Sequence, residues 1–165
     1  MQYLAAIVMS LLLTANGVAL VMTASSLPPR VASHFDLAGV ADGFVGRTDY
    51  LMMMTGLSLG VPAVLLLVTV MLPFLVPSRL RIPQRDYWIA PERRAQTLSS
   101  IATVGLVMSA VTAAFMLGLQ LLVVAANART PPHMDTAILF ALVAFLVVSI
   151  LLCQWVLWRR FQVAQ

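Results

Sequence analysis

The chain has 165 residues, is 61% hydrophobic and only 10% charged, and has a mean hydropathy of +0.96. That composition excludes an ordinary soluble domain, which needs far more polar surface. All ten basic residues are Arg, set against six acidic ones, for a net charge of +4; in so apolar a chain this excess reports membrane topology rather than nucleic-acid binding. A lone Cys153 excludes an internal disulfide.

Four apolar runs follow in chain order, at residues 3–26, 50–76, 101–126 and 137–158, and none contains Asp, Glu, Lys, Arg or His. A helix needs about 20 such residues to cross a hydrocarbon core of about 30 Å. The predicted fold class is therefore all-α: an integral membrane bundle of four transmembrane helices forming one domain over residues 1–165. A compact extracytoplasmic cap at 27–49 joins helices one and two, and a basic loop at 77–100 joins helices two and three.

The first run lacks a basic flank, since Met1-Gln2-Tyr3 carries no charge, and it exceeds the ~7–15 apolar residues of a cleaved signal. It is expected to stay as a span. Asn16 in this run and Gln120 in the third are the strongest polar side chains at depth, suited to interhelical hydrogen bonds or to lining a polar pathway. In the second run Gly56 and Gly60 predict close helix approach, Met52–Met54 fill irregular gaps, and Pro62 and Pro73 predict bends.

Arg79, Arg81, Arg85, Arg93, Arg94, Arg159 and Arg160 fall on one side of the four spans; Arg30, Arg47 and Arg129 fall on the other. The positive-inside rule puts both termini and the 77–100 loop in the cytoplasm. Trp155 and Trp158 before Arg159-Arg160 make an interfacial belt, a role open to Tyr87 and Trp88 as well. Pro91 and Glu92 suit the first turn of a helix running through Arg93-Arg94 into span three. This basic loop is expected to meet anionic headgroups or a cytoplasmic protein.

The cap holds Pro28-Pro29, which ends the first helix, and Gly39, Gly43 and Gly46, which supply turns. Phe35, Leu37, Val40, Phe44 and Val45 are expected against the membrane or the bundle top, and Thr48 or Asp49 as the cap of span two. Both outward loops carry a His-x-Asp triplet, His34-Phe35-Asp36 and His133-Met134-Asp135, and these are the chain's two histidines. Together the four groups would suit a divalent metal. The other reading is local: His34 and Asp36 tie the cap together, with Asp42 and Arg47 as a pair.

Leu27-Pro28, Val31, His34-Phe35-Asp36, Gly39, Asp42 and Arg47, followed by Asp86-Tyr87-Trp88-Ile89-Ala90-Pro91-Glu92-Arg93-Arg94, resemble a bacterial membrane domain of unknown function found in the SdpI family. Those proteins give immunity to the sporulation-delaying toxin. The resemblance covers about the first 125 residues; Ala32 and Ser33 stand where the family often has a second Pro. It implies a bacterial inner-membrane location; some relatives protect against a peptide toxin and signal to a small repressor.

The expected function is thus a non-enzymatic membrane protein of immunity or signal-accessory type, whose cap contacts an external peptide or lipid. The alternatives are a small metal-dependent membrane enzyme and a transporter or channel subunit. No Ser-His-Asp elbow, His-Glu-x-x-His or phosphate loop is present, and no cofactor is expected. The partners expected are the bilayer, a membrane or cytoplasmic protein and a second copy of the chain; nucleic acid is not.

Overall fold

The computed structural model describes residues 2–162; Met1 and residues 163–165, and with them the outermost ends of the expected domain, lie outside the described residues. Four helices are long and apolar enough to cross a membrane: α1 (Gln2–Ala24), α2 (Arg47–Leu75), α4 (Pro91–Asn127) and α5 (Thr136–Arg160). The chain is a multi-pass membrane protein. A single helical turn, α3 (Arg85–Trp88), lies in the basic connection.

The stretch between α1 and α2 departs from a purely helical fold. It forms an antiparallel hairpin of β1 (Arg30–Phe35) and β2 (Ala41–Gly46). Arg30 pairs with Gly46, Val31 with Val45 and Ala32 with Phe44; irregularities on either side of His34 then shift the register. Val31 and Ala32 are both fully buried although consecutive strand residues point to opposite faces, so β1 is covered on both sides there, while Arg30 and His34 are exposed. The Arg47 amide donates to the Pro29 carbonyl at 3.0 Å and closes the hairpin base as α2 begins.

Helix α2 starts at Arg47, with Gly46 in an extended conformation at its cap and no side chain bonded there, so neither Thr48 nor Asp49 is the cap. Asp49 instead occupies the first turn, where its charge faces the helix's positive end. Two stretches of α2, Gly56–Gly60 and Leu67–Met71, are π-helical. They precede Pro62 and Pro73. Each proline lacks a backbone donor and collides with the preceding turn, and a widened turn relieves both faults.

Helix α4 is the hub, and α1, α2 and α5 each pack on it. Close approach comes at Gly105 and Gly118 of α4, where an added Cβ would crowd Thr69 of α2 and Leu142 of α5. At Gly56 and Gly60 an added Cβ would meet nothing within 4 Å. The expected close approach at those two glycines is not made: they lie in the first π stretch, away from the packed face.

The α1–α4 interface has a fixed register. Ser99 Oγ donates to Gln2 Oε1 at 3.1 Å, Asn16 Nδ2 donates to the Ala113 carbonyl at 2.9 Å, and Gln120 Nε2 reaches Thr23 Oγ1 at 3.5 Å. Each pair is 97 residues apart in sequence. A constant offset, rather than a constant sum, means that the helices run parallel. The α1 members fall at multiples of seven residues, the spacing of a left-handed seam. Polar groups on such a seam penalise any slipped pairing, because a slip leaves them unpaired in hydrocarbon.

Candidate functional site

Two ends of the bundle carry the polar side chains. At the hairpin end the main core cluster brings Val31, Leu27, Tyr50, Met54, Val123 and Met134 together beneath the strands. Phe35 and Val45 pack against it, whereas Leu37, Val40 and Phe44 are exposed. The hairpin is anchored to α4 by one side chain. Asn127 accepts from the Ala32 amide at 2.8 Å and donates to the Ala32 carbonyl at 3.0 Å, as a neighbouring strand would.

The hairpin tip docks on the connection between α4 and α5. The Met134 amide donates to the Gly39 carbonyl at 2.8 Å, and Val40 forms an isolated bridge with His133. Gly39 has φ +87°, and a Cβ there would run into the Met134 carbonyl. Only glycine fits both demands. The two loops that carry the His-x-Asp triplets therefore do meet, through their backbones.

Their side chains do not converge. His34 Nδ1 donates to the Asp42 carboxylate at 2.5 Å, so Asp42 pairs with His34 and not with Arg47. Asp36 accepts from the Val40 amide at 2.8 Å inside the tip. Asp135 caps α5, accepting from the Ala137 and Ile138 amides at 3.1 and 3.2 Å. The carboxylates are thus engaged locally. Among the described residues no three His, Cys, Asp or Glu side chains form a metal-ligating group. The proposed set of His34, Asp36, His133 and Asp135 is not assembled.

Beneath β1 lies a groove of about 300 Å³ between α2 and α5, floored by Leu119 and Val123 of α4. Met53, Met54 and Leu57 line one wall, Met134 and Leu139 the other, and His34 stands at the mouth. Tyr50 also lines it. That residue is 2% exposed, and its hydroxyl has no hydrogen-bond partner. An unpaired buried hydroxyl costs about 1–3 kcal/mol. The groove, rather than the triplets, is where the hairpin end can hold something.

Deeper in the bundle, Asn16, Ser58, Ser109 and Gln120 are fully buried, and each retains an oxygen without a partner. The amide nitrogen of Asn16 is doubly engaged, to the Leu12 and Ala113 carbonyls at 2.8 and 2.9 Å.

At the opposite end, Trp88 Nε1 donates to the Phe161 carbonyl at 3.2 Å, and Thr97 Oγ1 donates to the Trp88 carbonyl at 2.9 Å. Tyr87, Trp88 and Phe161 meet edge to face, with centroids 5.1 and 5.3 Å apart. The Arg93 guanidinium lies 4.0 Å from the Tyr87 ring centre, a cation–π contact. Arg85 pairs with Asp86 at 2.8 Å. Glu92 sits in the first turn of α4, and among the described residues neither it nor Arg94 makes an ion pair.

Several of these residues escaped sequence reasoning. Asn127 carries no local signal, because its partner is 95 residues away. Tyr50 reads as the first residue of a span. Asp135 enters the sequence reading only as a metal-ligand candidate, although its place just before an apolar run also fits the helix cap it makes. No protein-family model, curated protein or solved structure matches this chain.

Proposed function

We propose that this chain is a non-enzymatic accessory or immunity-type protein of the bacterial cytoplasmic membrane, with the hairpin end outside and both termini in the cytoplasm. The motif resemblance to the SdpI family supports the class. The split of the arginines supports the orientation: seven lie at the end that holds the α2–α4 connection and three at the hairpin end.

One observation carries the functional reading: the groove under the hairpin, with the unpartnered Tyr50 hydroxyl in its wall. The hairpin that roofs it is held by Asn127, and the hairpin tip by Met134, so the roof stands in place before any ligand arrives. Preformed, mostly apolar concavities with few polar groups are the usual form of binding sites. Methionines suit such a lining because thioether side chains adapt to varied shapes. The outer end would hold an external apolar or amphipathic molecule, and the basic end would rest on anionic headgroups or meet a cytoplasmic protein.

The test is purification in mild detergent followed by mass spectrometry of everything that co-elutes. The wild type is compared with Leu57→Trp, which fills the groove from its partly exposed wall. A species retained by the wild type and lost from the variant is expected. Identical inventories, with the variant folded, would remove the outer binding reading.

A further inference from the structure

The groove has features that select among ligands. Helices α2 and α5 each pack on α4 but make no extensive contact with each other, so the groove lies in the gap between two spans. Met53 and Leu57 on its wall are 45% and 39% exposed on an apolar helix, which opens the gap sideways toward hydrocarbon. His34 and Ser33 line the roof, the polar end of an otherwise mostly apolar groove. Tyr50 lines the same groove, its hydroxyl buried and without a partner.

We infer that the groove takes a diacyl glycerophospholipid from the surrounding leaflet, one acyl chain lying between α2 and α5 and its ester carbonyl accepting from the Tyr50 hydroxyl. This rests on the outer-site reading above and adds the ligand class. An ester carbonyl is an acceptor without a donor, placed where chain meets headgroup, and it matches a phenol hydroxyl. The hydroxyl is covered in the free protein, so the lipid reaches it by displacing part of the groove lining, which includes the flexible thioether side chains of Met53 and Met54. The His34 ring is oriented by Asp42 at Nδ1, which leaves Nε2 free to face the headgroup.

A peptide fits less well. An extended peptide adds to a sheet through free strand edges, and the β1 edge at Ala32 is already occupied by both polar atoms of the Asn127 amide. A helix is about 10–12 Å across and needs a wider gap between spans than a single acyl chain does. A single acyl chain brings no further polar groups that need partners.

The experiment uses the full chain in nanodiscs of phosphatidylcholine carrying a trace of a diester phosphatidylcholine with a photoactivatable group near the top of one chain. Labelling at Met53, Met54, Leu57 and Leu119 is measured relative to the lipid-facing side of α5 at Phe140 and Val148. Bulk diester phosphatidylcholine should displace the trace probe from the groove about two- to tenfold better than a nanodisc made of its diether analogue, the value of one neutral hydrogen bond. Tyr50→Phe should abolish that preference, and Leu57→Trp, which keeps the hydroxyl, should lower groove labelling itself. Equal displacement by diester and diether in the wild type would overturn the ester contact and leave the groove standing. Labelling by an amphipathic peptide photoprobe that the diester fails to displace would overturn the lipid assignment. Groove labelling no higher than on α5 with either probe would overturn the assignment and the outer-site reading together.

Discussion

The two ends of this bundle use their polar residues in opposite ways. At the hairpin end three arginines face four carboxylates, Asp36, Asp42, Asp49 and Asp135. Three of those carboxylates bind a named partner: Asp42 holds His34, Asp36 holds the tip, and Asp135 holds α5. At the other end seven arginines face two carboxylates, Asp86 and Glu92, and Arg85–Asp86 is the sole ion pair there among the described residues. One end ties most of its carboxylates to partners of its own and builds a shape, leaving the buried Tyr50 hydroxyl unpaired. The other leaves its charge unneutralised, available to an anionic surface. The hairpin at the first end is held to the bundle by hydrogen bonds across the sequence, Asn127 to Ala32 and Met134 to Gly39; at the second end Trp88 both packs on Phe161 and donates to its carbonyl.

The comparison breaks most readily at Gly39. Gly39→Val puts a branched side chain at positive φ and against the Met134 carbonyl. A cost of about 3 kcal/mol or more is expected. Thermal melting in detergent should fall, and hydrogen-exchange protection of Met134 should disappear while protection of Trp88 stays. Loss at both ends together would show that the ends are not independent.

Asn127→Leu removes both bonds to Ala32 and leaves its amide and carbonyl without partners in a part-buried site. About 1–3 kcal/mol should be lost, read as faster exchange of the Ala32 amide with no change in helix content. If the Ala32 amide stays protected, the hairpin has another anchor. Asp135→Ala deletes the α5 cap and should cost about 0.5–2 kcal/mol, confined to the first turn of that helix.

His34→Ala should barely move stability. Its pairing with Asp42 is largely exposed, at 75% and 49% for the two side chains, and surface pairs contribute about 0–1 kcal/mol. His133→Ala should be as quiet, since its contact with the hairpin tip is made by backbone. A large destabilisation by both, matched by a chelator, would revive the metal set that the geometry leaves unassembled. At the arginine end, Arg79→Gln with Arg81→Gln should leave melting unchanged but weaken adsorption to anionic vesicles by about 1 kcal/mol per charge.

These pairs explain what the sequence could and could not convey. The spans were legible because about 20 consecutive apolar residues have few other readings. The π stretches were foreshadowed by Pro62 and Pro73. The hairpin was harder. Each strand has six residues, Gly43 and Gly46 dilute β2, and the shift around His34 breaks the alternation that marks a strand. That shift is also why His34 meets Asp42, eight residues on, and not Asp36, two residues on. Gly56 and Gly60 misled because their spacing suits close packing, whereas packing fell to Gly105 and Gly118. The Asn16 and Gln120 seam was visible as polar residues at depth, but their common 97-residue offset appears only when the two helices are laid side by side.

The central claim is that the ordered hairpin end faces outward and the arginine end inward. Cysteine labelling in intact cells tests it most directly, on a Cys153→Ser background. Ala38→Cys lies in the exposed hairpin tip and Gln84→Cys in the exposed basic connection. A membrane-impermeant maleimide should label Ala38→Cys in intact cells and Gln84→Cys only after lysis. Labelling of Gln84→Cys in intact cells, with Ala38→Cys silent until lysis, would contradict the orientation and the outer binding site with it.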